Sequence, residues 1–276
     1  MAEVWLAHPV GDPSARVALK RALPHLAHEP LVDRSLRDEA RWLERIAHPN
    51  VVGLRELREH DGQPVLVLDW VDGLTLGALL DAQARHGVTL SPPLVQRIGY
   101  EFLEGLGAVH AAGVVHGDVT PGNVLVGLDG VTRVIDLGLG APVGTEPPAG
   151  WQGTAAYTSP ERWERATRMP SAEVFAAGVV LWESLRGERL YGGGDLFAVR
   201  QRILDAEARR LDEGRPDLAP WADVLAAALD RDPARRTASI GALGARWFPV
   251  APAASPGQVS AHLAAVSKLR RSALAG

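Results

Sequence analysis

One short stretch, H-G-D-V-T-P-G-N at residues 116–123, constrains this 276-residue chain more than any other. A second acidic motif, D-L-G, begins at Asp136, and two apolar runs around an Asp129-Gly130 turn separate the two motifs. Apolar runs that flank a D-G turn predict a β-hairpin, and a hairpin brings its two ends together. We therefore expect Asp118, Asn123 and Asp136 to lie on one rim, within reach of a single ligand.

These three side chains carry the oxygen atoms that a phosphoryl-transfer site needs. An amide oxygen and a carboxylate are hard ligands that suit Mg²⁺, and a further carboxylate can orient or deprotonate a hydroxyl. Together they predict metal-assisted phosphoryl transfer. The alternative is turn chemistry, because Asp, Asn, Pro and Gly dominate turns. Either motif alone would favour a turn, whereas their order with the elements below favours a site.

Composition narrows the class of protein. A hydrophobic content of 46% and a charged content of 22% are ordinary for a globular chain of one large or two modest domains. The formal net charge of -4 gives no bulk attraction to nucleic acid or to an anionic membrane. The absence of cysteine excludes disulfides and Cys-based zinc sites. With no long apolar run and no signal-peptide pattern, we expect a cytoplasmic protein without a membrane span.

The chain changes from strand patterns to helix patterns near Gly73. Before it, apolar spacing predicts a helix at 31–47 and strands at 3–8, 16–20, 51–59 and 64–70. After it, we predict helices at 74–85, 94–110, 173–185, 195–212, 220–230 and 239–247. Residues 249–257 are rich in Pro, Ala and Ser, as is typical of a linker. For 260–274, a basic amphipathic helix and a solvated tail are both open.

In this order, the motifs resemble those of the protein kinase family. Residues 116–123 and D-L-G resemble H-R-D-x-x-x-x-N and D-F-G, and V-A-L-K ending at Lys20 resembles V-A-I-K. Residues 153–161 resemble the closing G-T-x-x-Y-x-x-P-E. The resemblance, to bacterial serine/threonine kinases, implies an α+β bilobal fold with a small antiparallel N-lobe carrying one helix and a larger, mainly helical C-lobe. The implied boundaries are N-lobe 1–68, hinge 69–73, C-lobe 74–248, and linker and tail 249–276.

The resemblance also implies that ATP and Mg²⁺ bind between the lobes. Lys20 would contact the α- and β-phosphates and pair with Glu39, although each alone could be an ordinary solvated residue. Asp118 would accept or orient the proton of the substrate hydroxyl, and Asn123 and Asp136 would hold Mg²⁺. The adenine site would use Val4, Ala18 and Leu125 together with the backbone of Asp69 and Val71.

Two further contacts are implied around the segment 139–161. Thr154 would hydrogen-bond the catalytic Asp118, which favours Ser and Thr over Tyr as acceptors. Glu161 would be buried and paired with Arg236, in a contact between residues far apart in the sequence. The second contact, between residues this far apart in the sequence, would support the fold as a whole.

Several positions depart from the family pattern. The glycine-rich loop over the phosphates begins only at its last position, Ala2, so its first two glycines are absent from this sequence. Gly117 replaces an Arg that pairs with a phosphate on the activation loop, so we expect no control by loop phosphorylation. Thr120 replaces a Lys that steadies the transferring phosphate. Leu137 replaces Phe, and Glu173 replaces the Asp that anchors the catalytic-loop backbone.

These features predict an ATP- and Mg²⁺-dependent kinase that acts on Ser or Thr of a protein substrate in bacterial signalling, without a nucleic-acid partner. The main alternative is a pseudokinase, a nucleotide-binding or scaffolding module with little transfer, which the missing glycines, Gly117 and Thr120 support. A small-molecule kinase is disfavoured by Thr154 and the S-P-E segment.

Overall fold

The N-terminal part of the protein is a twisted antiparallel sheet with one helix against it. A computed structural model describes residues 2–87, 89–146, 153–164, 167–205 and 207–275. The strands are β1 (Ala2–Ala7), β2 (Val17–Ala22), β3 (Leu54–His60) and β4 (Gln63–Asp69), in the order β1-β2-β4-β3. All neighbouring strands are antiparallel. The predicted small antiparallel N-lobe is confirmed.

Helix α1 (Pro30–Leu43) covers this sheet. Proline in its first turn is favourable, because the missing N–H would have no partner there. Its buried face follows the helical repeat and consists of Val32, Leu36, Glu39, Ala40 and Leu43. The only charged side chain on that face is therefore one that the sequence analysis assigned to the site. The helix ends one turn earlier than predicted.

The C-terminal part is mainly helical, as predicted. Its helices are α2 (Leu76–His86), α3 (Pro92–Ala111), α4 (Pro160–Trp163), α5 (Pro170–Arg186), α6 (Leu196–Asp205), α7 (Ala219–Ala228), α8 (Ile240–Trp247) and α9 (Pro256–Ala275). Short strands are β5 (Gly73–Thr75), β6 (Val114–Val115), β7 (Val124–Gly127), β8 (Thr132–Val134) and β9 (Ala141–Pro142). Helix α5 contains the predicted helix 173–185 and is buried along nearly its whole length.

Strands β7 and β8 form the predicted hairpin. They pair in antiparallel register, and Asp129 at the turn accepts a hydrogen bond from the N–H of Val131 at 3.0 Å. Gly130 has a φ of +78°, and a Cβ at this position would overlap the backbone of Pro256. Only glycine fits there, both because of its φ and because the start of α9 approaches so closely.

The predicted helix 195–212 is too long. Helix α6 ends at Asp205, and residues 207–212 are not helical. Their carbonyl groups bond to side chains of α5, because Trp182 donates to Arg209 and Arg186 donates to Leu211. These tertiary hydrogen bonds replace the carbonyl–amide bonds that would have continued the helix.

Of the two alternatives left open for residues 260–274, the structure has the helix, as part of α9. The N–H of Ala254 donates to the carbonyl of Pro93 at 2.9 Å. Within α9, a stripe of Val259, Leu263 and Val266 is buried in the C-terminal core, and the helix packs against α2 and β7. The spacing i, i+4, i+7 is that of one helical face, but small alanines around it make the pattern weak in the sequence.

No helix among the described residues is long and apolar enough to cross a membrane.

The burial of α9 predicts that truncating its stripe destabilises the whole C-terminal part. Leu263 is 1% exposed, so we expect Leu263→Ala to lower the free energy of unfolding by about 2–5 kcal/mol. Leu269 on the same helix is 45% exposed, and Leu269→Ala should change it by less than about 0.5 kcal/mol. Urea unfolding followed by circular dichroism measures both. Equal, small losses for the two variants would show that α9 does not belong to the core.

Candidate active site

A buried ammonium group forms the centre of the site. Lys20 on β2 donates to both carboxylate oxygens of Glu39 on α1, at 2.8 and 2.7 Å, and to Oδ1 of Asp136 at 2.8 Å. Lys20 and Glu39 are both nearly inaccessible to solvent, whereas the Asp136 side chain is about half exposed. The three residues predicted from separate motifs therefore meet, and three carboxylate oxygens use the three donors of Lys20.

Lys20 and Asp136 stabilise each other's charged forms, whereas burial raises the pKa of Glu39 against the opposing charge of Lys20. Burial alone would lower the pKa of Lys20, but the neighbouring carboxylates outweigh it and raise that pKa. Burial alone would raise the pKa of Asp136, but the positive charge of Lys20 outweighs it and lowers that pKa. Lys20 and Asp136 are therefore both charged at neutral pH, which suits a site for phosphates and a divalent cation.

Asp136 has an unusual backbone conformation. Its φ of +65° lies in the left-handed region, which non-glycine residues seldom adopt. The N–H of Gly138 donates to Oδ1 of Asp136 at 3.0 Å, and the hydroxyl of Ser35 on α1 donates to the carbonyl of Gly138. Backbone strain of this kind persists where the surroundings fix it, often at functional sites. The sequence analysis missed Ser35, since a single serine on a helix carries no pattern.

Two of the residues predicted to line the adenine site, Val4 and Ala18, share one face of the sheet with Lys20. Val4 lies opposite Lys20 in the β1–β2 register, and Ala18 lies two residues before it on the same strand. Directly opposite residues and alternate residues point to the same side of a sheet. Leu125 on β7 and Val71 are half-buried against the N-terminal core. Their predicted contacts with adenine stay predictions.

Asp69 contributes differently from its neighbours. Its side chain points to the surface and pairs with Arg55 at 2.7 Å, while its N–H donates to the carbonyl of Gly53 at 2.9 Å. The Asp69 carboxylate thus bonds to Arg55 at the surface and lies outside the sheet interior. This placement is compatible with the prediction that only its backbone takes part in the site.

Asp118 is held by groups from both sides. Its Oδ1 accepts hydrogen bonds from the N–H and the hydroxyl of Thr154, both at 3.0 Å. The amide nitrogen of Asn123 donates to the Asp118 carbonyl at 2.8 Å and to Oδ2 at 3.2 Å. The structure therefore brings together Asp118, Asn123 and Thr154, and fixes the carboxylate in one orientation.

His116 has a structural role in this loop. Its Nε2 donates to the carbonyl of Ile135 at 2.9 Å, and its Nδ1 accepts from the N–H of Asp118 at 3.3 Å. One neutral tautomer satisfies both contacts. The imidazole ties the catalytic loop to the residue before Asp136 and is not available as a base.

A buried carboxylate lies under the catalytic loop. Glu173 on α5 accepts from the N–H of His116 at 3.1 Å, from the N–H of Gly117 at 2.6 Å and from Nε2 of His110 at 2.6 Å. Burial would raise the pKa of Glu173, but these donors outweigh it and lower that pKa. The longer side chain at this position therefore does reach the loop. The sequence analysis missed His110, whose partner lies 63 residues away.

The donor set fits Mg²⁺ only together with a nucleotide. The side-chain nitrogen of Asn123 donates to Asp118, so its side-chain oxygen would be the metal ligand. The N–H of Ile135, the residue before Asp136, donates to the backbone carbonyl of Asn123 at 3.0 Å. Across the described ranges, no group of three His, Cys, Asp or Glu side chains could hold a metal by itself. Mg²⁺ commonly takes one or two protein ligands and completes its shell with phosphate oxygens and water.

The predicted pair beyond the site is also present. Arg236 donates to both carboxylate oxygens of Glu161, at 2.6 and 2.9 Å, and to the carbonyl of Ser171 at 2.8 Å. A bidentate pair of this kind fixes geometry as well as charge. It anchors the segment that carries Thr154 to the C-terminal core.

Comparison with known proteins agrees with this geometry. Residues 11–248 match the protein kinase domain family. The serine/threonine-protein kinase PknE of Mycobacterium tuberculosis is 31% identical over 233 residues, which cover 83% of this chain and 40% of PknE. PknL of the same organism is 32% identical over 233 residues, covering 83% and 57%. The tyrosine-protein kinase MasK of Myxococcus xanthus is 31% identical over 232 residues, covering 79% and 36%. The aligned part thus spans between 36% and 57% of these relatives.

The pKa of Glu173 gives a prediction for pH-dependent stability. Because its folded pKa lies below its ordinary value of 4.5, its contribution to stability is present above pH about 4.5 and is lost as the pH falls through the folded pKa. We expect Glu173→Gln to lower the free energy of unfolding by about 2 kcal/mol at pH 7. The difference from the parent should shrink below pH about 4.5.

Urea unfolding between about pH 3.5 and 7 measures this difference, with Glu104→Gln, an exposed position on α3, as the matched control. A parent–variant difference that stays constant over this range would contradict the assigned role of Glu173.

Proposed function

Because this chain belongs to the protein kinase family, we propose that it transfers the γ-phosphoryl group of ATP, with Mg²⁺, to Ser or Thr hydroxyls of a protein substrate. The observation that carries the proposal is the Asp118 carboxylate, which Thr154 and Asn123 orient at the rim where Asp136 meets Lys20. Asp118 would position the acceptor, and Lys20, Asn123 and Asp136 would bind the phosphates and the metal, which supports the proposal.

The triad of charges supports a role in binding phosphates. All three donors of Lys20 bond to carboxylates. A phosphate oxygen that took the donor now used by Asp136 would free this half-exposed carboxylate for the metal. Glu39 would keep Lys20 in place during this exchange. Bound Mg²⁺ would neutralise charge that develops on the phosphates.

The acceptor chemistry follows from the environment of Asp118. The substrate hydroxyl would hydrogen-bond to Asp118, its oxygen would form the new bond to the γ-phosphorus, and its proton would pass to the carboxylate. The bond from the γ-phosphorus to the bridging oxygen would break, and ADP would leave. Asp118 need not be a strong base, because positioning contributes most to such a transfer.

The type of acceptor is part of the proposal. The Thr154 hydroxyl bonds directly to Asp118 and narrows the space beside it, which favours small aliphatic hydroxyls. PknE and PknL carry serine/threonine in their names, whereas MasK carries tyrosine. Acceptor preference is therefore a separate outcome to measure.

We expect Asp118→Asn to lower phosphoryl transfer by about a hundredfold or more, since it removes the group that accepts the proton. The measurement uses labelled ATP with Mg²⁺ and a peptide library, and phosphoamino-acid analysis of the products should give phosphoserine and phosphothreonine. Asp223→Asn, in an exposed salt bridge to Arg210, is the control and should retain activity.

Equal transfer by the parent and Asp118→Asn would exclude the catalytic assignment. Phosphotyrosine as the main product would overturn the acceptor assignment while leaving the kinase activity. Nucleotide binding without transfer by the parent would favour the pseudokinase. Thr120 supports that alternative, because it lacks the positive charge of the Lys that the resemblance implies at this position.

The metal site gives a second prediction. Mg²⁺ with ATP should raise the Tm by about 5–10 °C at 100 times the Kd, and Mg²⁺ alone should have little effect, because the protein supplies only two ligands. Asp136→Asn should lose the part of the shift that depends on Mg²⁺, since asparagine tolerates the left-handed backbone but lacks the charge.

Differential scanning fluorimetry with ATP, Mg²⁺ and both together separates these contributions. A full Mg²⁺-dependent shift in Asp136→Asn would remove this residue from the metal site.

A further inference from the structure

The catalytic loop, residues 116–123, contacts the start of the activation segment, which begins at residue 139, through backbone atoms at Gly117. Gly117 has a φ of +86°, and a Cβ at this position would overlap the carbonyl oxygen of Leu139. An arginine therefore does not fit at position 117 unless Leu139 moves away. In this chain, the contact that the family makes through an arginine and a phosphate is replaced by direct contact between two stretches of backbone.

The same carbonyl of Leu139 accepts a hydrogen bond from another part of the chain. Nη1 of Arg168, just before α5, donates to it at 2.7 Å. Arg168 is only 8% exposed. A buried guanidinium keeps its charge, and hydrogen bonds from charged donors are stronger than those between neutral groups. Arg168 thus brings a positive charge next to the catalytic loop, where Gly117 brings none.

Arg168 also binds the segment through its own backbone. Its N–H donates to the carbonyl of Thr145 at 2.8 Å, and its carbonyl accepts from the N–H of Gly144 at 2.8 Å. One residue therefore contacts the activation segment at two places, at 139 and at 144–145. Between them, the N–H of Val143 bonds to the carbonyl of Gly113.

We propose that Arg168 is a positioning residue that holds residues 139–145 against Gly117 and thereby fixes the metal ligand Asp136 without a phosphate on the loop. Asp136 lies three residues before Leu139, in a strained conformation that its surroundings must maintain. Ser35 fixes the carbonyl of Gly138 from the α1 side, and Arg168 fixes the next carbonyl from the α5 side. The catalytic role of Asp136 rests on the proposed function, but the positioning does not.

The test compares R168Q, which loses the charge, with R168K, which keeps it. R186Q is the matched control, because Arg186 also donates to backbone carbonyls, those of Leu211 and Glu213, but far along α5 from Asp136. Hydrogen–deuterium exchange of the peptide covering 136–145 is the first measurement. We expect about tenfold faster exchange there in R168Q, no change in R186Q, and an intermediate rate in R168K.

The second measurement is the Mg²⁺ concentration for half-maximal phosphoryl transfer. It should rise about tenfold in R168Q and stay unchanged in R186Q, since a loss of general stability would not move it. Treatment of the parent with a phosphatase should change neither the exchange nor the transfer.

Unchanged exchange in R168Q would overturn the inference even if the parent is an active kinase. Faster exchange after phosphatase treatment would overturn it as well. Faster exchange in R168Q, with a parent that transfers no phosphate, would support the positioning role and reject only the proposed function.

Discussion

The ammonium group of Lys20 lies between two carboxylates that come from different parts of the chain. β2, α1 and the turn at Asp136 meet at this ammonium group, and both Lys20 and Glu39 are removed from water. A buried charge without its partner is strongly destabilising. The position of α1 relative to the sheet is therefore tied to the turn at Asp136, and a shift of any one of the three elements would break a contact of Lys20.

A second buried charge, the carboxylate of Glu173, fixes the catalytic loop to the C-terminal part in a similar way. Glu173 gathers the N–H groups of His116 and Gly117, and His110 completes its hydrogen bonding. The catalytic loop is thus attached to α5, the most buried helix of the C-terminal part. The N-terminal part thus holds Lys20 through the buried Glu39, and the C-terminal part holds the catalytic loop through the buried Glu173. The geometry of the site therefore depends on the packing of both cores.

Sequence reasoning identified the residues that occur in patterns. The hairpin could be predicted because a D-G turn and two apolar runs are local, and Lys20, Glu39 and Arg236 because they occur in a known order. His110, Ser35 and Arg168 could not, since their partners lie 63, 103 and 29 residues away and no local pattern marks them.

The ends of elements were predicted less well for a related reason. Side chains of α5 bond to the carbonyls of Arg209 and Leu211, and no local sequence pattern shows this competition for carbonyl groups. In α9, three apolar side chains among alanines were too few to distinguish a packed helix from a tail.

The close contact between Gly130 and Pro256 has a mechanical consequence. α9 begins at the turn of the same hairpin whose two ends carry Asn123 and Asp136. Because packed interiors transmit strain rather than absorb it, strands β7 and β8 connect the start of α9 mechanically to the end of the hairpin that carries Asn123 and Asp136. A force or a bound protein that displaces α9 would strain the hairpin at its turn, and this strain would shift Asn123 and Asp136 at the other end.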